Sequence, residues 1–130
     1  MNGIDYLIDT NIIIYYFEGV LTESARIFVD NILKRGCNIS AITKIELLGW
    51  RQLSEEKNMM LVEFVNHAVV IGISDEIINQ TVEIRKTGKL KIPDAIIAAT
   101  AILKDWELIT RNVSDFKNVS GLKIVNPFEI

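Results

Sequence analysis

A chain of 130 residues and 14.7 kDa is the size of one domain, and such a chain buries about two-thirds of its unfolded surface on folding. With 49% hydrophobic residues, 24% charged residues and a mean hydropathy of +0.26, it has apolar surface enough to offset the entropy of folding, which excludes disorder. A net charge of −3 argues against a broad basic face for nucleic acid. One cysteine (Cys37) and one histidine (His67) exclude a disulfide framework, a Cys/His zinc site and a triad built on a second histidine. Residues 95–103 are too short an apolar stretch to span a bilayer, and no basic-then-apolar leader opens the chain. A cytoplasmic protein is expected. Its chemistry must come from carboxylates, hydroxyls, amides and cations.

The elements follow from periodicity and caps. Residues 4–8 read as a strand, and 11–17 as an apolar helix stopped by Gly19. Residues 22–35 form an amphipathic helix with Ala25, Phe28, Val29, Ile32 and Leu33 on one face and Gly36 as its stop. Residues 38–42 are a strand, after which Thr43 opens a helix with Glu46 as its capping-box partner. A helix over 54–67, a strand over 68–73 and a helix capped by Ser74 and ended at Gly88 come next. Pro93 stands at the first position of a helix over 94–104, and strands over 107–110 and 123–125 close the chain. Strands separated by helices imply parallel crossovers. The expected fold is α/β, a three-layer α/β/α sandwich with a mainly parallel central sheet of four to five strands, in one domain over 1–130.

Loops at the carboxyl ends of parallel strands converge on one edge, where sites are built. Asp9 follows the first strand, Glu46 lies one turn into the helix after the second, Asp94 lies in the first turn of the helix that Pro93 opens, and Asp115 follows the strand over 107–110 through a short turn. Each has a plain structural reading. Asp9 could cap a helix, Glu46 could serve Thr43, Asp94 could favour a helix dipole, and Asp115 could open a last helical turn. Together they point elsewhere, because one fold places all four at one edge. Their apolar neighbours (Leu7-Ile8-Asp9, Ile45-Glu46-Leu47, Ile92-Pro93-Asp94-Ala95) suggest that these acids are partly buried. Two carboxylates ~5 Å apart at an effective dielectric of ~20 repel by about 3 kcal/mol. A protonated acid or a cation must relieve that. An all-oxygen set favours Mg²⁺ or Mn²⁺, one ion or two, and such ions suit phosphoryl chemistry.

Four segments carry a resemblance: Leu7-Ile8-Asp9-Thr10-Asn11-Ile12-Ile13, Thr43-Lys44-Ile45-Glu46-Leu47-Leu48-Gly49, Ile92-Pro93-Asp94-Ala95-Ile96-Ile97-Ala98-Ala99-Thr100-Ala101 and Leu108-Ile109-Thr110-Arg111-Asn112-Val113-Ser114-Asp115-Phe116. In order and spacing they are similar to the motifs of PIN-domain nucleases, above all the VapC-type toxins of toxin–antitoxin pairs. The resemblance implies an endoribonuclease using Mg²⁺ or Mn²⁺, with Asp9, Glu46, Asp94 and Asp115 as its acidic quartet. It implies that Thr10, Asn11 and Thr110 support that quartet or position water. It also implies an antitoxin that blocks the site and a homodimeric toxin. Where this chain has Asn112, some members carry an acid, which leaves open whether 112 or 115 reaches the metal.

The cations Arg85, Lys89 and Lys91 precede Asp94, and Arg111 follows a strand. They are candidates for RNA phosphates, against the plain reading of a solvated helix end or, for Arg85, an internal partner. Two other readings stay open. A receiver-like or phosphatase-like phosphotransfer domain would want further acids or an acceptor Asp, and Asn11 stands where such a phosphatase has its second Asp. A non-catalytic PIN-like interaction module would need no quartet.

Overall fold

The computed structural model describes residues 5–51 and 53–130. Five short strands, β1 (Tyr6–Ile8), β2 (Asn38–Ser40), β3 (Val69–Ile71), β4 (Glu107–Ile109) and β5 (Ile124–Val125), form one sheet in the order β3-β2-β1-β4-β5. Every pairing is parallel. Seven helices are described: α1 (Thr10–Glu18), α2 (Glu23–Arg35), α3 (Ala41–Leu48), α4 (Glu55–His67), α5 (Asp75–Thr87), α6 (Ile92–Lys104) and α7 (Val113–Phe116). A 3-10 turn at Pro127–Glu129 packs against α2.

Residue alternation along the strands builds three layers. Leu7 and Leu108 enter one core with α5, α6 and α7, through Ile77, Ile84, Ile97, Ala98 and Phe116. Ile8, Ile39 and Ile109 enter the other with α1 to α4, through Ile12, Val29, Leu47, Leu61 and Val65. Right-handed crossovers explain the division. The chain runs β1 to β2 to β3 in one direction, with α1 to α4 on one face. It then crosses back through α5 and α6 on the other face to β4. The direction of travel reverses between β1 and β4, the adjacent strands that pair Ile8 with Ile109. In open parallel sheets that switch point is the crevice where ligands are held.

The three-layer α/β sandwich with a parallel sheet is therefore as expected. Boundaries differ. Ile4 lies outside the described residues. The strand expected to reach Ile42 ends at Ser40, whose hydroxyl accepts from the Ile42 N–H and caps α3. Thr43 is thus inside the helix and fully buried, and the Thr43/Glu46 capping box does not form. The sixth helix starts at Ile92, two residues early, because Lys91 takes the extended cap conformation and Pro93 needs no N–H in the first turn. The strands over 68–73, 107–110 and 123–125 are each shorter than expected, as the β ranges above state.

Candidate active site

Alternation carries past the strand ends. Asp9 has the parity of Leu7, and Thr110 that of Leu108, so both face the α6 side at the switch point. Thr110 Oγ1 donates to Asp9 Oδ2 at 2.7 Å, and the Thr10 N–H donates to Asp9 Oδ1 at 2.8 Å. Asp9 is the N-cap of α1, so its plain structural reading holds. It is buried, at 5% exposure. Burial, partly opposed by these two hydrogen bonds and reinforced by the charges of Asp94 and Glu46, pushes its carboxyl up to about 6.

Asp94, in the first turn of α6 and half-buried, is also raised. Desolvation is the main cause, then the charges of Glu46 and Asp115, with Lys91 acting the other way. Glu46 and Asp115 are both exposed, against the expectation that apolar neighbours would bury the quartet. The neighbours of Glu46 are themselves on the surface, Ile45 at 65% and Leu48 at 43%. The four acids nevertheless form one electrostatic set. Asp9 feels Asp94 and Glu46, and Asp94 feels Glu46 and Asp115.

Hydroxyls and an amide hold the outer acids. Thr10 Oγ1 lies 2.6 Å from Glu46 Oε1 and 2.9 Å from Thr43 Oγ1. A hydroxyl carries one proton. When that of Thr10 goes to the carboxylate, the Thr43 hydroxyl donates to Thr10, and the chain Thr43-Thr10-Glu46 ties α3 to α1. Thr43 in this role was missed in the sequence, since a threonine before a helical run reads first as a cap. Asn112 Nδ2 donates to Asp115 Oδ2 at 2.8 Å, and the Asn112 N–H donates to Thr110 Oγ1 at 3.0 Å. Asn112 is thus a tether between Asp115 and the Thr110–Asp9 pair. Asn11 Oδ1, on the first turn of α1, is the one buried side-chain polar atom without a partner among the described residues.

The cations divide. Arg85 donates to the Leu90 carbonyl at 2.6 Å and so braces the α5–α6 loop from within. Lys89 and Lys91 are exposed and line a groove with Asp94 and Asp115. Arg111, exposed in the turn after β4, stacks on aromatic rings away from the acids. Its guanidinium lies 4.1 Å from the Phe128 ring centre and 5.5 Å from that of Tyr15. His67, the last residue of α4, is exposed and meets the Glu63 carbonyl at 2.9 Å, which leaves it outside the site.

Among the described residues no three His, Cys, Asp or Glu side chains form a ready-made metal cage. The donor set is all oxygen. Its two innermost acids hold protons more tightly than usual, first because burial desolvates them and then because other acids lie close. Asn11 contributes an acceptor without a donor on the same turn. Such a set fits a hard divalent cation.

The PIN domain family model matches residues 6–122. The comparison with curated proteins returns no match. Among solved structures, a chain of a toxin-antitoxin complex from Klebsiella pneumoniae is 35% identical, with 97% of this chain and 100% of that chain covered and a TM-score of 0.76. A chain of DNA-bound VapBC from Salmonella typhimurium is 25% identical, covering 96% and 99%, with a TM-score of 0.80. One of VapBC2 from Rickettsia felis, bound to a promoter DNA fragment, is 25% identical, covering 93% and 97%, with a TM-score of 0.78. A buried Asp at the switch point, Asp94 and Glu46 in its field and these likenesses over nearly the whole length agree: the chain belongs to the PIN-domain family and is of the VapC type.

Proposed function

We propose that this chain is a Mg²⁺- or Mn²⁺-dependent endoribonuclease, the toxin of a toxin–antitoxin pair. The observation that carries the reading is the buried Asp9 carboxylate at the strand ends, which lies in the field of Asp94 and Glu46, while Asp94 lies in that of Glu46 and Asp115. When bound, a hard dication supplies Lewis-acid polarisation of a phosphate and neutralises charge that develops on it. Asp9 and Asp94 would hold it, because they are the acids that burial strips of water. Thr110 and the Thr10 N–H orient both oxygens of Asp9, so its geometry is set before substrate arrives. Asn112 takes one oxygen of Asp115 and leaves the other for the ion or its water. Thr10 takes Oε1 of Glu46 and leaves Oε2, on the exposed side, to orient a water for attack on phosphorus and to accept its proton.

The likeness to chains of toxin–antitoxin complexes supports a cognate antitoxin as partner. A homodimer is part of the same proposal, and exposed Ile45 and Leu48 on α3 and Met59 and Met60 on α4 supply apolar surface for such contacts. The proposed place of action is the cytoplasm, in keeping with an unpaired, buried Cys37. Among the described residues no helix is long and apolar enough to cross a membrane.

Incubation with a panel of structured and unstructured RNAs tests the activity. Cleavage is expected with Mg²⁺ or Mn²⁺, to stop on addition of EDTA and to return when the ion is restored. Cleavage at the same rate in EDTA would contradict the reading.

A further inference from the structure

A groove of about 840 Å³ lies between the α5–α6 loop and the turn after α7, and two of the four acids, Asp94 and Asp115, line it. We infer that this groove holds the single strand of RNA next to the cleaved bond, with Lys89 and Lys91 on two successive phosphates and Asn118 and Ser120 facing the bases. The inference rests on the nuclease reading above and adds a path to it.

The loop is built to hold its lysines still. Leu90 is buried at 8% exposure and Arg85 grips its carbonyl, while Lys89 and Lys91 on either side are exposed. Gly88 and Lys91 have extended backbones. In an extended segment, residues two apart share a side and are separated by ~6.6 Å. That is close to the step between neighbouring phosphates of an extended strand. Neither lysine has a carboxylate partner at salt-bridge distance among the described residues, so both charges are available. Lys91 lowers the pKa of Asp94 against the raising influences, which places its charge close to the acids.

The other wall differs in chemistry. Ser114, Asn118 and Ser120 offer hydroxyls and an amide, and no aromatic side chain lines the groove. Such a wall reads base edges by hydrogen bonds rather than by stacking, which needs unpaired bases. The volume falls within the roughly 300–1,000 Å³ typical of small-molecule sites. It takes a few nucleotides of one strand and no duplex.

The test uses the full chain carrying Asp9→Asn, so that RNA is bound and not consumed. Labelled short single-stranded RNA and a hairpin of the same composition are titrated by fluorescence anisotropy at fixed Mg²⁺ and several KCl concentrations. Adding Lys89→Gln and Lys91→Gln is expected to weaken single-strand binding by at least ten-fold. It should flatten the plot of log affinity against log salt by about 1.4, two phosphates at ~0.7 each. In the chain with Asp9 intact, Asn118→Ala and Ser120→Ala should change which sequences are cut. Both lysines are exposed, so circular dichroism should show an unchanged fold. Single-strand affinity and salt slope unaltered by the lysine changes, while the parent still cleaves RNA, would overturn the groove and leave the nuclease standing. An equal loss for hairpin and single strand, or a loss confined to an acidic peptide offered as competitor, would also overturn it. No RNA bound or cut by any variant would overturn both readings.

Discussion

Asp9→Asn is expected to abolish RNA cleavage, by on the order of 10³-fold, and at the same time to stabilise the metal-free protein. The two effects share one cause. Asp9 is a carboxylate in a buried place, with two hydrogen bonds in its favour and two acids against it. An acid whose folded pKa lies above its unfolded value means that the native state binds more protons, so stability falls as pH rises. The fall runs from the ordinary value of 3.8 to about 6, and it amounts to about 3 kcal/mol once complete. Asparagine keeps an acceptor for the Thr10 N–H and carries no charge. In EDTA at pH 8 the variant should gain on the order of 1–3 kcal/mol, roughly 4–10 °C in Tm for a domain of this size. The parent should lose stability between about pH 4 and 6, and the variant should show a shallower slope, keeping only the part due to Asp94. Denaturant melts in EDTA across this range measure both. A variant less stable than its parent at pH 8 would mean that the hydrogen bonds to Asp9 outweigh the cost of burying its charge.

Phe116→Ala is expected to be the most damaging single truncation near the site. Phe116 is fully buried and is the last residue of α7, a helix of four residues with little strength of its own. Its ring packs into the core formed by Leu7, Leu108 and α5 and α6. That anchor holds Asp115, one residue before it, at the groove. Removing the ring should cost about 3–5 kcal/mol, a large share of the roughly 5–15 kcal/mol that holds a typical domain. Below its melting point the variant should still cleave RNA more slowly than the parent, by about ten-fold, because a displaced α7 also breaks the Asn112–Asp115 tether. Phe116→Leu should recover most of both losses. Urea melts and cleavage rates at low temperature check this. Full stability in the alanine variant would show that α7 is held by something other than its phenylalanine.

Much of the fold was legible in the sequence for a simple reason. Uncharged β-branched strands separated by amphipathic helices have few arrangements open to them, and those arrangements bring Asp9, Glu46, Asp94 and Asp115 to one edge. Part of what was not legible depended on contacts distant in the chain. Ser40 and Thr43 are both good caps three residues apart, and the choice between them is made by Thr10, which takes Thr43 into the interior. Apolar neighbours did not bury Glu46, because Ile45 and Leu48 face outward with it. Arg85 and Arg111 looked alike as cations near a site. One is used to brace a loop and the other stacks on Phe128, a ring more than ten residues away. The tether from Asn112 to Asp115 spans three residues of a helix too short for its periodicity to be read.

The most direct measurement is an anomalous difference map from crystals of the full chain grown with Mn²⁺. A peak is expected at the carboxyl ends of β1 and β4, bounded by the carboxylates of Asp9 and Asp94, and absent from crystals of the Asp9→Asn variant. Manganese bound elsewhere, or no peak while the protein still cleaves RNA, would contradict the proposal that these acids form one cation site.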